Sequence, residues 1–148
     1  MCGIAKDIKV INEKTFSKYG SILEKKPEGE REGNNLFRIV TRSKSDGWRA
    51  AYLVVRDRSI SKLENHPDSK ETFEPARGCV ILCVSLNKNP EEFEVFILDK
   101  PVVLNEGIWH GIITLSEESE VKICENIEVG IEYHNLESSV KPVLIYEK

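Results

Sequence analysis

The stretch that decides the fold is Glu64-Asn65-His66-Pro67-Asp68-Ser69-Lys70-Glu71-Thr72-Phe73-Glu74-Pro75. It belongs with a second stretch further along the chain, Gly107-Ile108-Trp109-His110. Both put imidazole and carboxylate groups on segments that read as β-strands. Successive side chains of a strand point to opposite faces, so Glu64 and His66 share a face. Lys62 has the same parity, while Leu63 and Asn65 face the other way. Pro67-Asp68-Ser69 then bends the chain, and Glu71 follows with Phe73 on its parity. In a barrel, one such face looks inward. A Glu and a His on it must be paired, solvated or metal-bound, because burying bare charge is costly.

Outward from this stretch the chain reads as strand after strand. Candidates span 8–11, 36–42, 48–56, 60–66, 78–86, 93–98, 108–115, 121–126, 129–134 and 143–147. Turn chemistry separates them at Ser45-Asp46-Gly47, Asn87-Lys88-Asn89-Pro90, Asn105-Glu106-Gly107 and Ser116-Glu117-Glu118-Ser119. Near the start, Thr15 is placed to cap a single helical turn that stops at Gly20. Residues 24–35 are charged, rich in Gly and Asn and without an apolar period, so no regular structure is expected there. Many short strands with closely spaced turns and no long helical pattern give an all-β sandwich or barrel.

The chain has 148 residues, 40% hydrophobic and 31% charged. One domain, residues 1–148, is expected, large enough to bury a core without a disulfide or metal staple. The formal net charge of −4 repels phosphate backbones, which argues against nucleic acid as a partner. No run of apolar residues is long enough to span a membrane as a helix. The opening MCGIAKDIKVINEK carries no apolar run of signal-peptide length, so a cytoplasmic location is expected. A lipid-attachment role is not expected for Cys2 either, on the same ground. Cys79 and Cys83 share a strand and lie about 13 Å apart at roughly 3.3 Å per residue, too far for a disulfide. With Cys124 they read as free thiols, since a Cys-based zinc site needs tighter spacing.

The two polar segments resemble the motifs of the cupin barrels. The first cupin motif runs His-x-His, three or four residues, Glu, six residues, Gly. Here Glu64-x-His66, four residues, Glu71, six residues and Gly78 fit that spacing, with Glu64 in place of the first His. The second motif contains Gly-x-x-His, matched by Gly107 to His110; Asn105 stands where Pro is usual and Thr114 where Asn is usual. Within the cupins, the chain is similar to the ureidoglycolate lyase family, also known as the ureidoglycolate hydrolases. Glu64-Asn65-His66-Pro67, Phe73-Glu74-Pro75 and Trp109-His110 carry that likeness, helped by Phe16-x-x-Tyr19-Gly20 and Asn34-Asn35. It covers roughly residues 14–135. Glu71 replaces that family's Gln, and Phe73-Glu74-Pro75-Ala76 lacks its apolar character.

The resemblance implies a double-stranded β-helix, or jelly-roll, with a short helical segment near the N-terminus. It also implies an active site built from His66, His110, Glu71 and Glu64. As a metal set, Glu64, His66, Glu71 and His110 offer two imidazoles and two carboxylates suited to Zn, Mn, Fe or Ni. The same four groups also make a metal-free acid–base pocket. The implied reaction is cleavage of ureidoglycolate to glyoxylate and urea, a step of purine and allantoin breakdown. Its substrate is a small carboxylate, and one cation must grip it. Arg38, Arg49, Arg56, Arg58 and Lys62 are the choices, Lys62 favoured by its parity; Trp109 is the other candidate substrate contact, though a Trp beside His110 also reads as a core or interface anchor. Phe73 and Tyr52 read as packing, and His134 as a surface or loop residue. Homodimerisation is a further implication. Two other readings remain open: a sugar- or organic-acid-binding cupin without catalysis, which Glu71 favours, and a metal-dependent sugar isomerase or epimerase.

Overall fold

A computed structural model describes residues 3–32 and 35–146. Cys2, Asn34 and Glu147 lie outside the described residues. The order is β1 (Ile8–Val10), α1 (Glu13–Phe16), β2 (Gly20–Ile22), β3 (Glu30–Glu32) and β4 (Asn35–Phe37). β5 (Trp48–Val55), β6 (Ile60–Asn65), β7 (Glu71–Arg77), β8 (Val80–Ser85) and β9 (Glu94–Ile97) follow. β10 (Val102–Leu104), β11 (Trp109–Thr114), β12 (Ser119–Asn126) and β13 (Glu132–Val140) complete the set.

Two sheets face each other. One has six strands in the order β1-β9-β8-β11-β6-β13, the other five in the order β2-β10-β7-β12-β5. Among the described residues, only the β1–β9 pairing within them is parallel. From β5 onward every connection carries the chain to the opposite sheet, except the β8–β9 hairpin. This alternation winds two sets of strands around one interior, the double-stranded β-helix expected of a cupin barrel.

Strand parity sorts the side chains. On β8, Val80, Leu82 and Val84 enter the interior with Phe73, Phe96, Leu104 and Val121. Ile81 and Cys83 point the other way, into an outer cluster with Leu63, Trp109 and Ile113 that Leu136 and Val140 of β13 help cover. Burial on both faces is why β8 reads as an unbroken apolar run. At the β9–β10 side, the rings of Phe16, Tyr19 and Phe96 pack with centroids 5.3 to 5.9 Å apart.

Several local expectations are corrected. The helix cap is Asn12, in a reciprocal capping box with Thr15, and the helix ends at Phe16. Gly20 starts β2 instead of ending a helix: a Cβ there would lie 1.8 Å from the Val103 carbonyl oxygen. The charged stretch before residue 36 contributes β3, which pairs with β4. The strand expected over 36–42 stops at Phe37, and Thr41 and Arg42 instead receive hydrogen bonds from the Lys70 ammonium. β2, β7 and β10 are additional strands. Val143 to Tyr146 form no strand, because no strand among the described residues pairs with them. Tyr52 is exposed on β5, its hydroxyl donating to Glu120, and His134 lies on β13 with Nε2 2.7 Å from Glu91.

Candidate active site

The two motif segments meet through their backbones. Gly107 N–H donates to the His66 carbonyl at 3.0 Å, and the Asn65 side chain donates to the Gly107 carbonyl at 3.1 Å. Gly107 makes this turn with φ +76°, a conformation other residues rarely adopt. Across the six-stranded sheet, His110 on β11 pairs directly with Glu64 on β6. Glu71 enters from the opposite sheet at the start of β7. Four side chains thereby converge: His110 Nε2 lies 3.0 Å from Glu71 Oε2 and 3.4 Å from Glu64 Oε1, and His66 Nε2 lies 3.2 Å from Glu71 Oε2. The Phe73 ring packs edge-on against His110, 5.5 Å between centroids.

The hydrogen bonds behind the imidazoles fix how they face the site. His66 Nδ1 donates to the Gly130 carbonyl and His110 Nδ1 to the Ile108 carbonyl, each at 3.0 Å. A carbonyl only accepts, so the Nδ1 atoms carry the protons and both Nε2 atoms point at the carboxylates. His110 Nε2 and Glu71 Oε2 are close, but the approach is poorly aligned for an N–H donor, and both atoms are buried without a well-directed hydrogen bond. Bare nitrogen lone pairs facing carboxylates repel. The cluster therefore needs an extra proton on an imidazole or a cation among the four atoms. A backbone carbonyl behind each imidazole is also the usual support of a metal-ligating His, so the residues fit a divalent ion.

Burial is the largest single influence on His110 and opposes its charge, but Glu64 and Glu71 together outweigh it and raise its pKa to about 10. Burial likewise pushes Glu71 up, while the two imidazoles outweigh it and bring the carboxyl down to about 2. Glu64 is lowered, chiefly by its contact with His110. His66 is raised: burial opposes this, and Glu71 overcomes it. Glu64 differs from its partners in access. Its side chain is 41% exposed, against 4–7% for His110, Glu71 and His66.

A cavity of about 240 Å³ reaches Glu64 and His110, lined also by Lys62, Gly111, Tyr133 and Asp57. The Lys62 ammonium stands over the Tyr133 ring, 4.4 Å from its centroid. Trp109 does not enter the cavity. It faces the outer cluster, as neighbours on a strand must, with its indole N–H on the Asn87 carbonyl and its ring against His134. Arg38 and Arg56 bind Glu24 and Glu118 away from the cluster. Arg49 does not line this cavity but reaches the cluster's other end through Glu125, which it grips and which the sequence alone does not single out. Ligand atoms of Glu125, His66 and Glu71 lie within 4.8 Å of one another, as do those of Glu64, His66 and His110. The signal for Glu125 is its place on β12, on the inward parity of Val121 and Ile123.

A two-sheet β-barrel with imidazoles and carboxylates gathered inside it defines a cupin. More narrowly, the chain belongs to the ureidoglycolate lyase family, whose model matches residues 5–142. No curated protein matches it significantly. Among solved structures it is similar to a mutant oxalate decarboxylase of Bacillus subtilis, with 14% identity and a TM-score of 0.46 over 61% of this chain and 24% of that one. The chain thus spans about a quarter of that protein's length. It is also similar to a dTDP sugar isomerase of Desulfovibrio desulfuricans, with 13% identity and a TM-score of 0.46 over 84% and 82% of the two chains.

Proposed function

We propose that the chain is a carbon–nitrogen lyase that cleaves ureidoglycolate to glyoxylate and urea. The observation that carries this reading is the convergence of Glu64, His66, Glu71 and His110 beside a cavity with Lys62 in its wall, in a chain of this family. The substrate is a hemiaminal bearing a carboxylate. Cleavage takes the hydroxyl proton, turns the O–H electron pair into a C=O bond, breaks the C–N bond and delivers a proton to the departing urea nitrogen. Glu64, ionised and open to the cavity, takes the hydroxyl proton. His110, which holds a proton at neutral pH, gives one to the nitrogen. The 3.4 Å contact between Glu64 and His110 returns the proton and resets the site. Glu71 keeps His110 charged and oriented, with His66 behind it. Lys62 gives the cavity a positive wall for an anionic substrate.

Glu64, His66, Glu71 and His110 are also the residues that would hold a divalent transition-metal ion, which when bound supplies Lewis-acid stabilisation of negative charge on substrate oxygen. The test is release of urea and glyoxylate from ureidoglycolate, with and without chelator and with Zn, Mn, Fe or Ni restored. Wild type is expected to release both products and His110→Ala neither. No release under any of these conditions sinks the lyase reading. Thermal stabilisation by small carboxylates without turnover would then point to a binding cupin.

A further inference from the structure

The cluster has a second cation beside it, on the sheet opposite Lys62. Glu71 on β7 pairs with Glu125 on β12, and Glu125 pairs with Arg49 on β5. The three residues form one row across three strands, so their side chains share the interior face. Arg49 Nε and Nη2 both contact Glu125 Oε1, at 2.8 and 2.7 Å. The Glu125 side chain is almost fully buried, while Arg49 is half exposed. Two donors are thus spent on a single oxygen. The other guanidinium N–H groups have no hydrogen-bond partner among the described residues. Lys62 is placed differently, with its ammonium over the Tyr133 ring.

We propose that Arg49 is the anchor for the ligand's carboxylate, and that Glu125 is a positioning residue that holds the guanidinium beside the His66–Glu71 end of the cluster. The assignment rests on the reading of the site as one for a small hydroxy or oxo acid, and it makes Arg49 the direct grip in place of Lys62. An Arg presents a planar fork that matches a carboxylate with two parallel N–H donors, which an ammonium cannot do. Arg49 already holds one carboxylate oxygen and has donors left for a second group. Glu125 neutralises part of its charge but also stops the long side chain from swinging out at the open edge of β5.

Calorimetric binding of glyoxylate, compared with its uncharged amide, tests this without turnover. Wild type is expected to prefer the acid. Arg49→Ala is expected to weaken acid binding at least tenfold and leave the amide within about twofold, and Arg49→Lys to fall between. Glu125→Gln is expected to weaken the acid and spare the amide, which a merely structural role would not do. The proposal is overturned if wild type does not bind the acid, if Arg49→Ala and Arg49→Lys bind it normally, or if both ligands weaken alike. A larger loss of acid binding in Lys62→Ala than in Arg49→Ala also overturns it. A protein that binds glyoxylate through Arg49 yet releases no urea fails only as a lyase. One that releases urea while Arg49→Ala binds normally fails only here.

Discussion

His110 has one nitrogen committed to a backbone carbonyl and the other facing two carboxylates. Its replacement by Ala is expected to lower kcat/KM about 10²- to 10⁴-fold, the range for loss of a proton-transfer residue; unchanged urea release in that variant would remove His110 from the chemistry. The same contacts set a pH dependence in metal-free protein. Glu71 is held at about 2 against 4.5, so its stabilisation is present above pH 4.5 and is lost as pH falls toward 2. His110 is raised from 6.5 to about 10, so its stabilisation is full below pH 6.5 and is lost as pH rises toward 10. Chelator-treated protein is therefore expected to melt highest between pH 4.5 and 6.5. The alkaline decline shrinks in His110→Gln; an equal decline in both proteins would count against the ion pair. Metal loading must displace the His110 proton, so it is expected to release protons, read as a buffer-dependent binding enthalpy. Glu64, His66, Glu71 and His110 were legible in the sequence because their spacing is a motif. Glu125 was not, since a lone Glu on a strand marks nothing until the strand's neighbours are known.

Elements with a clear period were legible, and those whose form depends on their neighbours were not. β8 declares itself by an apolar run, and β5 and β6 survive almost as read. β2 and β10 have three residues each, too few to show an alternation. β7 hides behind Pro75, which cannot donate to a sheet ladder; the partner strand shifts register between Glu120 and Val121, where Pro75 pairs. At the other end of β7, Glu71 starts the strand by pairing with Leu104 and Glu125. The apolar run from Val143 to Tyr146 fails in the opposite sense, since it has strand-forming residues and no described strand to pair with. Gly20 shows how strongly an element can depend on one atom. With the Val103 carbonyl 1.8 Å from any Cβ, Gly20→Ala is expected to part β2 from β10. The cost is about 1–3 kcal/mol by urea unfolding, typical of overpacking; unaltered stability would mean that β2 contributes little to the fold.

At the scale of the molecule, the outer surface keeps apolar side chains that no described part of the chain covers. Trp48, Tyr52 and Val54 stand on the edge strand β5, and Val143, Leu144, Ile145 and Tyr146 run exposed beyond β13. Homodimerisation, which the family resemblance carries, is a proposal at this scale; light scattering is expected to report twice 16.9 kDa, and a monomer at working concentration removes it. The alternating path of the chain has another consequence. Glu64 and His110 ride on one sheet, Glu71 and Glu125 on the other. Anything lodged among them is a crosspiece between two walls that are otherwise joined through the packed interior and the strand connections. Occupancy is therefore expected to slow amide exchange in β6 and β11 and in β7 and β12 together. It is also expected to raise the melting temperature, by about 2.7 kcal/mol of added stability at a hundredfold excess over Kd. A melting curve can thus sort candidate ligands by fit alone, before any of them has been seen to react.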